Sequence, residues 1–207
     1  MTERFGASGI EVLRNAFSGG REGVPKNLFD VARMTFLRDG YHLPFLFLLR
    51  DYKPVKILVT PIDNRAQKYL QMRHLAAEVI RYGADAAISI GEAWTTSLAE
   101  ITGYQSPSEV PTRREALLLV MVGKSGEPVQ YKAMIDRNGE NVSLGETFVT
   151  RGLPVWEFAP FYQAWGRPIP ASWTAGFHDA VTGRTLNEVR SVEAHAEYGT
   201  SSLPASV

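Results

Sequence analysis

The chain has 207 residues, of which 44% are hydrophobic and 21% charged, enough apolar material for one domain with a real core, or one domain plus an appendage. Lys+Arg and Asp+Glu both total 22, giving a formal net charge of zero, which argues against chain-wide attraction to nucleic acid or an anionic membrane. No cysteine is present, and this excludes disulfide frameworks, thiolate zinc sites, iron–sulfur clusters and cysteine nucleophiles.

The opening Met1-Thr2-Glu3-Arg4-Phe5-Gly6 lacks the basic segment and apolar core of a secretory signal. Residues 8–17 have helical spacing: Ser8 and Glu11 form a capping-box pair, and Ile10, Leu13 and Phe17 share a face. Gly19-Gly20-Arg21-Glu22-Gly23 should break that helix. A second one is expected from about Leu28 to Asp39, capped by Asn27 and stopped at Gly40. The seven residues Leu43–Leu49 are too few to span a bilayer. With Arg50 they read as a central strand, turning at Asp51-Tyr52-Lys53-Pro54 into a second strand over 55–62.

The clearest helix follows, from Asp63 or Asn64 to about Arg81, with Gly83 as its stop. Its apolar stripe includes Tyr69, Leu70, Ala76 and Ile80. Ala84–Trp94 is a strand, 97–113 a polar loop, and Glu115–Val122 a strongly apolar strand. Val129, Tyr131, Ala133 and Ile135 alternate cleanly along the next one. Asn138-Gly139 is a strong hairpin signal, because both central residues of such a turn need positive φ. The last strand is predicted at Asn141–Val149. This predicts an α+β fold of core order α-β-β-α-β-β-β. The short turns favour a mostly antiparallel sheet, with the helices expected on one face.

Residues 1–149 thus form the core domain, 150–199 an aromatic, proline-rich arm with a terminal helix, and 200–207 a flexible tail. Between Arg151 and Phe177 lie Trp156, Phe158, Phe161, Tyr162, Trp165 and Trp173. Aromatics of this kind dominate binding hot spots, so these six are the candidate partner-binding residues. A closing helix is expected after the capping-box sequence Thr185-Leu186-Asn187-Glu188.

One stretch carries a likeness. Glu92-Ala93-Trp94 ends a strand, Pro107-Ser108 sits in the loop, and Arg113-Arg114-Glu115 opens the next strand. This pattern resembles a group of bacterial and phage-encoded domain proteins over roughly residues 27–140. The resemblance implies a shared domain and brings no activity and no catalytic residues with it.

The same stretch holds the candidate catalytic residues. Glu92 could act as a general acid or base beside Trp94, with Arg113 or Arg114 binding an anionic substrate and His42 assisting. The plainer reading is an ion pair that locks the loop. His42, His74, His178 and His195 lack the spacing of a helical metal pair. A site from His42, His74 and Asp63 has only composition behind it, so no metal and no cofactor are expected. The nuclease-core, nucleophile-elbow and phosphate-loop patterns are incomplete. Arg65, Lys68, Arg73, His74 and Arg81 could face nucleic acid from one helix, or simply solvent. These readings favour a non-enzymatic interaction or assembly module of bacterial or phage origin, which binds a protein partner or its own copy through the aromatic arm. The alternative is a small hydrolase or nucleic-acid-processing enzyme. A cytoplasmic place, or one in the virion, is expected, with no membrane partner.

Overall fold

The computed structural model describes residues 7–60, 65–97, 100, 110–139, 141–153 and 155–169. Eleven elements follow in order: α1 (Ala7–Ala16), α2 (Gly20–Asp39), β1 (Phe45–Arg50), β2 (Lys53–Val59), α3 (Arg65–Tyr82), β3 (Ala86–Thr95), β4 (Arg114–Gly123), β5 (Val129–Asn138), β6 (Asn141–Arg151), a 3₁₀ turn at Trp156–Phe158 and α4 (Ala159–Ala164). The six strands form one sheet of order β2-β1-β3-β4-β5-β6, and every neighbouring pair is antiparallel. The protein is α+β, as its strand alternation and short turns require.

Strand alternation divides the interior in two. Phe47, Ile88, Ile90, Leu117, Leu119, Tyr131 and Ala133 pack on one face with Val24, Leu28, Phe29 and Phe36 of α2. Leu46, Leu48, Ala87, Val120 and Val122 pack on the other with Met72, Leu75 and Val79 of α3 and with Phe158, Phe161 and Tyr162. The single helix layer read from sequence is therefore corrected to two. The central strands β1, β3 and β4 are apolar on both sides, and a sheet buried on both faces needs cover on both.

The α2 helix begins at Gly20, inside the glycine-rich stretch read as a breaker. Side-chain anchors hold that first turn. Arg21 donates to the carbonyls of Ser125 and Glu127 at 3.0 Å each, Glu22 pairs with Arg151, and Val24 is fully buried. Tertiary contacts outweigh the weak helical preference of glycine here. At the far end Gly40 has φ +78 and donates its N–H to Phe36 O at 2.8 Å, the left-handed stop that the sequence implied.

The β1–β2 turn is tighter than expected. Asp51 and Tyr52 alone occupy it, with φ of 51 and 60, and the Asp51 N–H donates to Asp85 Oδ2 at 3.0 Å. In β6, two residues oppose Met134 where one would be regular, a β-bulge at Gly145 and Glu146.

Candidate functional site

The candidate catalytic residues lie near one end of the sheet, where α2 stops above β3, β4 and β5. Glu92 and Trp94 lie on the α2 side of β3. Register sets Trp94 opposite Glu115, and Glu92 opposite Leu117. Glu115 is thus a diagonal neighbour of Glu92 on the same face. Arg114 pairs with Thr95, and alternation points it to the opposite face. Arg113 stacks on the Trp94 ring at 4.7 Å.

The cation that meets Glu92 is Arg137, at the end of β5. Its Nη2 donates to Glu92 Oε2 and its Nε to Glu115 Oε2, both at 2.6 Å. Its Nη1 donates to the carbonyl of Gly40 at 2.9 Å, and its guanidinium lies over the Phe36 ring at 5.5 Å. The other Glu92 oxygen accepts the backbone N–H of His42 at 2.7 Å. One guanidinium therefore ties the end of α2 to three strands. Arg137 is held above its ordinary value, chiefly by the hydrogen bond to Glu115.

Sequence reading missed Arg137 because its partners lie 45 and 22 residues away. A signal was present, however. The apolar alternation Val129, Tyr131, Ala133, Ile135 continues in phase to Arg137, and a cation at a core-facing position needs a carboxylate.

The His42 ring packs edge-on against Phe45, 5.9 Å between centroids. Burial lowers its pKa below the ordinary 6.5, opposed by the Leu43 backbone and by the Glu92 charge. Beside the clamp is an open cleft of about 530 Å³, lined by Arg114, Glu115, Asp136, Arg137, Ser143 and Gly145 among others. Glu92, the expected acid or base, does not line it. Both carboxylates are engaged by one guanidinium, an arrangement suited to holding strands and a helix end in place. Among the described residues, no three acidic or histidine side chains gather to hold a metal.

The aromatic arm turns inward. Phe158, Phe161 and Tyr162 are at most 1% exposed, beneath α3 and against the sheet. Trp165 donates its indole N–H to Ala84 O at 2.7 Å. Arg167 donates to Gly123 O at 2.7 Å and stacks on Tyr162 at 4.5 Å. Those expected partner-binding residues are occupied by the protein's own interior. The side chains of Trp156, Arg65 and Lys68, and all of Trp173 and the closing helix, lie outside the described residues. On α3, Arg73 and His74 face solvent, while Arg81 pairs with Glu78 at 3.5 Å and stacks on Tyr82 at 5.5 Å.

What remains open is the β6 edge. All eleven of its residues are at least partly exposed, with Phe148 at 53% and Val149 at 47%. Among the described residues no strand pairs with its outer side, and no helix is long and apolar enough to cross a membrane.

A two-layered helix cover on a wholly antiparallel six-stranded sheet defines an α+β domain whose polar cluster is closed by ion pairs and whose β6 edge is unpaired among the described residues. Comparison places it further: the chain belongs to the family described as Bacteriophage lambda protein ea47, which it matches over residues 3–185. It is thus a member of a phage-encoded family. No curated protein and no solved structure matches it.

Proposed function

We propose that this phage-family protein is a non-enzymatic binding module that joins an assembly through protein contacts made at the β6 edge. The observation behind this reading is that strand itself, eleven residues long and, among the described residues, unpaired along its outer side. An exposed edge offers a row of backbone donors and acceptors to an added strand, and its side chains supply selectivity. The engagement of Glu92 and Glu115 by Arg137 weighs against the hydrolase alternative, since a general acid or base must reach a substrate proton.

Photo-cross-linking from a photoreactive amino acid placed at single positions of the full chain in phage-infected cells tests the proposal, because residues 141–153 hold no lysine or cysteine for amine- or thiol-reactive reagents. Intermolecular links should concentrate on residues 141–153. Links confined to α3, or a hydrolytic activity that Glu92→Gln abolishes while leaving the fold intact, would overturn it.

A further inference from the structure

We infer that the partner at this edge is a second copy of the chain, with the two β6 strands pairing antiparallel about a two-fold axis through Phe148. The inference rests on the binding-module reading and names its occupant. Three features of the molecule support it.

First, the two edges of the sheet differ. The β2 edge carries Lys53, Pro54 and Lys56 among seven residues, the devices by which proteins blunt an edge against pairing. The β6 edge, Asn-Val-Ser-Leu-Gly-Glu-Thr-Phe-Val-Thr-Arg, holds no lysine and no proline. Beyond its bulge, Thr147–Arg151 is regular and rich in β-branched and aromatic residues. Among the described residues one edge of the sheet is thus blunted and the other is not, and a single pairing edge closes as a dimer, where two would propagate a fibre.

Second, the strand is complementary to itself. With Phe148 on the axis, it meets Phe148 of the second copy on the face that α3 and α4 leave uncovered. Thr147 meets Val149 of the second copy, and Glu146 meets Thr150 of the second copy. No like charges oppose one another, and aromatic and β-branched cross-strand pairs stabilise a sheet.

Third, the helix beside the strand repeats that symmetry in charge. Glu22 of α2 binds Arg151, and Arg33 donates to Gly145 O at 2.8 Å, so α2 runs along β6 in the opposite sense. Between these ends lie Lys26 and Asp30, paired at 2.7 Å. The helix therefore presents Glu22, Lys26, Asp30 and Arg33 in alternating sign at helical spacing. The span from 22 to 33 is centred over Phe148, midway between 145 and 151. The two-fold axis then sets Glu22 toward Arg33 of the second copy, and Lys26 toward Asp30 of the second copy. Zero net charge removes the overall repulsion between two copies.

The test is sedimentation of the full-length protein over a range of concentrations, with circular dichroism to confirm folding. The wild type should be a dimer in the micromolar range. Two double variants, Thr147→Lys with Val149→Lys and Thr147→Glu with Val149→Glu, each set like charges opposite one another across the axis while facing only the uncharged Ala133 and Tyr131 on β5. Each should weaken the dimer at least about tenfold and leave the fold unchanged. An equimolar mixture of the two variants should restore it as a mixed dimer, because Lys and Glu then face each other. A dimer that survives in both double variants, or a mixture that stays monomeric, would overturn the inference. A wild type that stays monomeric at every concentration would also overturn it. If that monomer still gives cellular cross-links from β6 to another protein, the binding-module reading stands without self-pairing. If it gives none, both fall.

Discussion

At the scale of single residues, Arg137 decides the character of the candidate site. Its partners are side chains only 27% and 29% exposed, between the surface pairs that contribute little and the buried pairs that are costly to break. Arg137→Met should lower stability by about 1–2 kcal/mol, because two carboxylates and the Gly40 carbonyl lose their donor together. Urea denaturation would show this as a lower midpoint, and Arg113→Ala, which removes only a stacked surface cation, should cost about 0.5 kcal/mol or less. Equal losses for the two would mean that the clamp contributes nothing special. His42 adds a pH dependence. Its folded pKa is lowered by burial, so the unfolded chain binds the proton more readily than the folded one. That penalty is absent above the ordinary value of 6.5 and grows as pH falls below it. Melting temperature should therefore decline between about pH 6.5 and 5, and His42→Gln should flatten the decline; a parallel curve for the variant would count against the assignment. The clamp was only half legible. Glu92 and Glu115 stand out beside Trp94, but their cation is set by the pairing of β4 with β5, and no local spacing encodes that register.

At the scale of elements, the strands were the most readable part of the chain. Each apolar or alternating run from Leu43 onward became a strand within a few residues of its expected ends, because period-two burial leaves a direct trace in sequence. The helices were less transparent, for reasons visible in particular residues. Arg21 and Glu22 carry the start of α2 through contacts with residues more than a hundred positions away. The arm posed the opposite difficulty. Tryptophans and prolines at 156–173 match neither helical nor strand periodicity, yet a short turn and α4 suffice to press Phe158, Phe161 and Tyr162 into the second core. Composition alone does not distinguish an aromatic surface from an aromatic interior. If α4 is structural, Phe161→Ala should cost about 3–5 kcal/mol, the usual result of emptying a buried aromatic site. Trp165→Phe, which keeps most of the ring and loses the bond to Ala84 O, should cost about 1 kcal/mol. Thermal melts would separate the two. A negligible effect of Phe161→Ala would return the arm to the role of a mobile partner-binding segment.

At the scale of the whole molecule, the two cores differ in how far apart their parts lie in sequence. The α2-side core is assembled from residues 16–135, whereas the α3-side core needs Val155, Phe158, Phe161 and Tyr162 to complete it. The domain boundary expected at 149/150 therefore cuts through a shared interior, and the family match to residue 185 runs past it. A chain ended at Leu153 would keep all six strands yet leave Leu46, Leu48, Val120 and Val122 with α3 as their main cover. Apolar surface of that kind, returned to water, forfeits roughly 25 cal/mol per Å². A domain has only about 5–15 kcal/mol of net stability to lose. The shortened chain should bind a hydrophobic dye and lose its cooperative melt, the signature of secondary structure retained without fixed packing. A chain ended at Ile169 should melt cooperatively, since it keeps Trp165 on Ala84 O and Arg167 on Gly123 O. Cooperative unfolding of residues 1–153 at near the full chain's temperature would show instead that the arm lies on a finished domain, and would free its aromatics for a partner.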